Sequence, residues 1–226
     1  MWAQLRADLA AIRERDPACR SAVEAWLCYP GLHALAVHRI AHRLHGARFY
    51  LIARLLSQAA RLVTGVEIHP AARIGAGVFI DHGMGVVVGE TAEIGDGVTL
   101  YQGVTLGGTG KDRGKRHPTI GRGVMVGVGA KVLGNVSVGD YSRIGAGAVV
   151  VSHVPPNCTV VGVPGRVVRR DGLRVVASDL ASTDLPDPLG SELRVLLRRV
   201  QALEARVKEL EAEQDGDCHC AVHGAP

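Results

Sequence analysis

From Ile68 to Val150 one aliphatic residue returns at a step of six: Ile68, Ile74, Ile80, Val88, Ile94, Leu100, Leu106, Ile120, Val126, Val132, Val138, Ile144 and Val150. Glycine commonly follows it, as in Ile74-Gly75, Ile94-Gly95, Ile120-Gly121 and Ile144-Gly145. This step matches neither the turn of a helix nor the alternation of a long strand. It suits a short strand plus a tight turn, three of which close one triangular coil of about 18 residues. Coils stacked at the ~4.8 Å spacing of paired strands would turn the aliphatic residues inward as continuous columns. The pattern therefore predicts a mainly β chain, a solenoid over residues 65–168. The step breaks only twice, to eight between Ile80 and Val88 and to fourteen between Leu106 and Ile120. Each break carries a histidine.

Outside the solenoid the period changes. Residues 1–64 read as an α-helical domain: Leu5, Leu9 and Ile12 share one face, Asp16-Pro17 marks a boundary, and a second helix ends near Tyr29-Pro30-Gly31. A third runs from about Leu32 to His45 and a fourth follows Gly46. Prolines at Pro155, Pro156 and Pro164 remove ladder donors and mark the end of the solenoid. Residues 169–190 read as a linker, and 191–213 as a C-terminal helix. There Leu196, Val200, Leu203, Val207 and Leu210 form an a/d seam suited to a trimeric coiled coil. The polar tail 214–226 is expected to be disordered. Its Cys218, His219, Cys220 and His223 lack a second ligand cluster, so no metal site is assigned.

Composition narrows the class. Twenty-nine glycines with 4% aromatic residues suit a narrow core of Val and Ile, and a net charge of +4 with scattered basic residues gives no nucleic-acid footprint. Five cysteines without framework spacing indicate reduced thiols, and no signal-peptide pattern opens the chain, so the expected location is cytoplasmic. The most apolar helical stretch, Phe49 to Val63, carries Arg54, Gln58 and Arg61, which argues against a membrane span.

The candidate chemistry sits in the two breaks. One contains Asp81-His82-Gly83-Met84-Gly85; the other contains Gly107-Gly108-Thr109-Gly110-Lys111 and then Arg116-His117-Pro118. Inserted loops on a rigid scaffold are where function concentrates. The glycine-rich run is not a nucleotide loop, because Thr105 and Asp112 stand where that motif needs Gly and Ser or Thr.

The repeat resembles the hexapeptide-repeat acyltransferases, which implies a left-handed parallel β-helix. More specifically, Glu67-Ile68-His69-Pro70, Asp81-His82, Val87-Val88-Gly89-Glu90-Thr91, Val104 to Gly110, Arg116-His117-Pro118, Gly162-Val163-Pro164 and Asp16-Pro17-Ala18 resemble the serine O-acetyltransferase family over roughly residues 10–170. That resemblance implies transfer of acetyl from acetyl-CoA, as co-substrate, to the hydroxyl of L-serine for L-cysteine biosynthesis, with no metal. It makes His82 the general base, the kind of group that accepts a proton near neutral pH. Glu67 orients the imidazole, where the family usually has aspartate, and His117 joins the catalytic set. Asp16, Asp81, Arg116 and His117 hold serine by its charged ends. Gly107, Gly108, Thr109, Val128 and Ala146 line the acetyl-CoA arm. The family also implies a homotrimer with sites between neighbouring β-helices. A hexamer is disfavoured here, because the helical region is shorter than in the long members. L-cysteine is an expected feedback inhibitor. A complex with cysteine synthase uses a C-terminal isoleucine, and this chain ends Gly224-Ala225-Pro226, which speaks against that partner.

Three rival readings stay open at this point. Another acceptor, homoserine or a sugar, would use the same scaffold. A γ-class carbonic-anhydrase-like zinc protein would need a third histidine beside His82 and His117, and Arg122 lies where one would be sought. A noncatalytic scaffold would need neither histidine.

Overall fold

The computed structural model describes residues 1–110, 113–174 and 196–207. Its first unit begins with four helices, α1 (Trp2–Arg15), α2 (Ala22–Cys28), α3 (Pro30–Gly46) and α4 (Tyr50–Thr64). Ser21 caps α2, its hydroxyl accepting Glu24 N–H at 3.0 Å. Pro30 opens α3 rather than closing the helix before it, since a proline at the first helical position gives up only a donor that has no intrahelical partner. Gly65, with φ 71°, ends α4 in the left-handed conformation and hands the chain to the solenoid.

The coils then follow in threes: β1 (Glu67–Ile68), β2 (Arg73–Ile74), β3 (Phe79–Ile80); β4 (Val87–Val88), β5 (Glu93–Ile94), β6 (Thr99–Leu100); β7 (Thr105–Gly107), β8 (Thr119–Ile120), β9 (Met125–Val126); β10 (Lys131–Leu133), β11 (Ser137–Val138), β12 (Arg143–Ile144). Next come β13 (Val149–Val150) and β14 (Cys158–Val161). The first face is β1-β4-β7-β10-β13, the second β2-β5-β8-β11, and the third begins β3-β6-β9-β12-β14, all parallel. Ile68 pairs with Val88, Val88 with Leu106, Leu106 with Val132 and Val132 with Val150, so the predicted column is continuous. A second column lies two residues earlier, including Val66, Val78, Val86, Val98, Val104 and Val124, each at most 1% exposed. Residues two apart in a strand share a face, so each short strand plugs the core twice.

The parallel ladder ends at β14, and an antiparallel hairpin runs on past residue 168. β14 pairs antiparallel with β15 (Arg166–Arg170), and β15 with β16 (Leu173–Arg174), so a reversed hairpin covers the last coil. The linker boundary drawn from sequence thus falls inside β15. Reversing direction ends the parallel template and blunts an otherwise open end.

Polar contacts stitch the helices to the coil. Asp8, fully buried, is ion-paired to Arg39 and accepts Val78 N–H at 3.0 Å; Arg39 also donates to Gly75 O at 3.2 Å. Burial pushes the Asp8 carboxyl upward against the stabilising Arg39 hydrogen bond. At the end of α1, Arg15 donates to Thr99 Oγ1 at 3.1 Å. By contrast α4 buries Ala53, Ser57 and Thr64 and turns Leu51, Leu55, Leu62 and Val63 to solvent. None of the described helices is long and apolar enough to cross a membrane.

The second unit contributes a helix over 196–207, with Leu196, Val200, Leu203 and Val207 all exposed in the single chain. Leu210 and the 214–226 tail lie outside the described residues, as does most of the 169–190 linker.

His38 on α3 is 5% exposed. Desolvation, then the charges of His42 and Arg39, hold its pKa down to about 3. The folded protein therefore keeps His38 neutral where the unfolded chain, near 6.5, binds a proton. Stability from this group is undiminished above pH 6.5 and falls as pH drops toward 3, by up to about 1.4 kcal/mol per pH unit. Urea midpoints between pH 7 and 5 should decline, and His38→Leu should show a shallower decline; equal slopes would assign the acid sensitivity elsewhere.

Candidate active site

Two corners of the coil carry the predicted residues. At the return corner, where the third face passes to the first, the two-residue insertion forms a tight loop over 81–86. His82 (φ 58°), Gly83 (φ 75°) and Gly85 (φ 74°) all take left-handed backbone conformations. Glycines accept these without penalty, but an imidazole held there is uncommon, a mark of functional sites. The His82 side chain is 72% exposed, with Nε2 3.8 Å from Asp81 Oδ1.

Asp16 comes to the same corner from the helical domain. It follows the Arg15 anchor as the C-cap of α1. The Tyr29 hydroxyl donates to its Oδ2 and Ala18 N–H donates to its Oδ1 at 2.8 Å. Those two hydrogen bonds, in that order, hold the carboxyl below its usual range, and the charge of His82 adds to the effect. Glu67 begins β1 just beyond this corner, and its Oε2 is bound to Arg61 at 3.0 Å. The described hydrogen bonds do not join it to His82.

The leading corner, between the first and second faces, holds the eight-residue insertion. Thr91 is its hub: Oγ1 accepts the backbone N–H groups of Arg116 (3.0 Å) and His117 (3.1 Å), and its carbonyl accepts Lys115 Nζ at 2.7 Å. Thr91 N–H donates to His117 Nδ1 at 3.2 Å, and the Thr91 hydroxyl lies 2.9 Å from the same nitrogen. A backbone N–H can only donate, so Nδ1 is an acceptor and the proton of neutral His117 sits on Nε2. Desolvation first, then the charges of Arg116 and Lys115, depress its pKa, opposed by Glu90. His117 is thus a neutral Nε2–H donor. The Arg116 guanidinium is paired with Glu90, which lies below its ordinary pKa because of that hydrogen bond.

The five residues expected along acetyl-CoA divide in the same way. Gly107, Gly108 and Thr109 lie at the leading corner, where a Cβ on Gly108 would come 3.0 Å from His117 Nε2. Val128 and Ala146 are exposed at the return corner, joined by Gly147 N–H to Val128 O at 2.8 Å. Gly129 and Gly147 beside them face open space, room for an extended arm. Among the described residues no three His, Cys, Asp or Glu are grouped to hold a metal ion.

Sequence reasoning assigned no role to Tyr29, Gly89, Glu90 or Thr91. Glu90 and Thr91 stood within a motif string, but their contacts cross some 25 residues and become visible only once the coil closes.

The family model described as bacterial transferase hexapeptide (six repeats) matches residues 117–152, and that of the serine acetyltransferase N-terminal region matches residues 1–37. Serine acetyltransferase of Synechococcus elongatus is 57% identical over 210 residues, 93% of this chain and 85% of that protein. The Bacillus subtilis serine acetyltransferase is 54% identical over 209 residues, 92% and 93% of the two chains. Neisseria gonorrhoeae serine acetyltransferase in complex with serine superposes with a TM-score of 0.70 at 50% identity, covering 72% of this chain and 67% of that one. A serine acetyltransferase complex with cysteine gives 0.73 at 46% identity, over 74% and 65%. Repeat, triangular coil and corner loops define a hexapeptide-repeat transferase with a left-handed parallel β-helix. The chain belongs to the serine acetyltransferase family.

The His117 ring lies directly over Gly89, where a Cβ would fall 1.9 Å from Cδ2 and 2.1 Å from Nε2. Gly89→Ala should push the imidazole off Thr91 and lower kcat/KM roughly 10²-fold, as misplacement by about an ångström does. Circular dichroism should show the coil intact; unchanged kcat/KM would mean that the position of His117 is immaterial.

Proposed function

We propose that the protein transfers acetyl from acetyl-CoA to the hydroxyl of L-serine, giving O-acetyl-L-serine for L-cysteine biosynthesis, at a site shared by two copies in a homotrimer. The observation that carries this reading is the division of complementary groups between two corners of one chain. The return corner supplies an exposed imidazole and the carboxylates of Asp81 and Asp16; the leading corner supplies Arg116, the His117 donor and a glycine-lined approach. Each corner alone would hold only one end of an amino acid. Neighbouring copies packed corner to corner complete the pair, and the outward apolar residues of α4, with the seam on helix 196–207, supply surface for assembly.

In this site Asp16 and Asp81 receive the serine ammonium and Arg116 its carboxylate, so simple alcohols and sugars bind poorly. His82 takes the hydroxyl proton as the oxygen attacks the thioester carbonyl. It returns that proton to the sulfur as the carbon–sulfur bond breaks and CoA departs. Glu67 keeps Oε2 on Arg61 and turns Oε1 toward the imidazole, while the Nε2–H of His117 donates to the bound acceptor. Gly107, Gly108 and Thr109 of one copy and Val128 and Ala146 of the next flank the acetyl-CoA arm. L-cysteine, with a thiol in place of the hydroxyl, presents the same charged ends and competes with serine.

CoA thiol release with a panel of acceptors tests the reaction. Serine-dependent release should fall about 10²- to 10⁴-fold in His82→Ala; release without serine, or with another acceptor preferred, would overturn the reading. The shared site has its own test. Chains of His82→Ala and His117→Ala, each inactive alone, should regain activity when unfolded and reassembled together, because mixed trimers contain sites with both histidines. Mixtures as inactive as their parents would place both groups in one chain's site.

A further inference from the structure

Tyr29 is in none of the short motifs quoted around the two breaks, yet it joins three parts of the acceptor half-site. Its ring is half-buried against Phe79, centroids 6.5 Å apart and tilted by 44°. Phe79 is in β3, the strand that runs directly into Asp81 and His82. The backbone after Tyr29 cannot drift: a Cβ on Gly31 would come 2.1 Å from Ile80 O, so the start of α3 is pressed onto the end of β3. The hydroxyl donates to Asp16 Oδ2, and Ala18 N–H takes the other carboxylate oxygen at 2.8 Å. Asp16 in turn lies close enough to His82 to feel its charge.

An unbound carboxylate at a helix end turns freely about its side-chain torsions. Here a rigid, two-torsion phenol fixes one oxygen and the Ala18 N–H fixes the other, so the group is set before any ligand arrives. The phenol pKa is raised, chiefly by the Asp16 hydrogen bond, so Tyr29 remains a donor throughout the working pH range.

We propose that Tyr29 is a positioning and specificity residue for the acceptor: its hydroxyl holds the Asp16 carboxylate beside His82 in the orientation that receives the ammonium of serine. This rests on the reading of Asp16 as an ammonium ligand. On this proposal Tyr29 acts only through Asp16, the partner of its hydroxyl.

Tyr29→Phe removes one oxygen and keeps the ring on Phe79. It should raise the KM for serine roughly ten-fold, the scale of a lost hydrogen bond to a charged group. The kcat and the KM for acetyl-CoA should stay within about two-fold, the split that marks lost uniform binding of one substrate. Asp16→Asn and the double variant complete a cycle. If Tyr29 acts through Asp16, the double variant is no worse than Asp16→Asn alone. Multiplying effects, or a rise in both KM values together with a lower Tm, would mean a general structural role and overturn the proposal. An unchanged serine KM in Tyr29→Phe, with Asp16→Asn impaired, would overturn it while leaving Asp16 in place. An unchanged serine KM in Asp16→Asn would instead overturn the reading of Asp16 on which it rests.

Discussion

Every coil of this protein must close on itself so that each buried aliphatic side chain lands on the one beneath it. The ladder spacing fixes the rise and the columns fix the phase. The partner of Ile80 is Leu100, whereas the partner of Leu100 is Val126, so coils of different lengths share one register. Extra residues have no room within a strand or in the core, and can leave only at a corner. The same constraint that makes the coil monotonous therefore makes its two departures conspicuous and displays them on the outside. Site loops here follow from the geometry of stacking.

The helical domain is subject to a looser rule. It packs through a small cluster, Ala11, Ile12, Ala25, Leu32 and Phe79, through Ala34 and Leu35, which join the core of the coil, and through the buried Asp8–Arg39 pair. A buried ion pair is a poor source of net stability but costly to break from one side, and it discriminates strongly against misplacement. With Asp8 also holding Val78 N–H and Arg15 reaching Thr99, α1 has a single register on the coil. Asp16, the next residue, is delivered to the return corner by that register. Its distance from His82 in sequence is thus bridged by contacts that have nothing to do with chemistry.

Legibility in the sequence followed the range of the interactions. The aliphatic column, the two breaks and the helical domain were readable because period and spacing are local properties. The second column was less so: Ala72, Ala92 and Ala130 alternate with valines and look like ordinary turn filler until strand pairing turns them inward. The reversed hairpin of β15 and β16 lacks the six-residue step, and its one local signal, the Asp171-Gly172 turn with both residues in the left-handed conformation, sits at the edge of a stretch that otherwise looks like a linker. In the site, His82 and His117 announced themselves by position, while the Thr91 hub and Tyr29 did not. A threonine in a turn and a tyrosine before a proline have many ordinary explanations, and only the folded coil brings them to their partners. The engagement of Glu67 by Arg61 was equally invisible, since it links the last turn of α4 to the first strand.

The two histidines show how one side-chain type is given two environments. His117 is buried, overlaid on Gly89, and has Nδ1 committed as an acceptor to Thr91, with cationic Arg116 and Lys115 opposing a further proton. Its one remaining function is to donate from Nε2. A base in that position would have to gain a proton against desolvation and two positive neighbours. His82 stands in the opposite setting, open to solvent, with Asp81 Oδ1 3.8 Å from its Nε2 and Asp16 brought to the same corner. Separating the environments of paired titratable groups is how acid and base roles are divided at one pH. The proposed division of base and donor rests on this contrast between an open ring and a buried one.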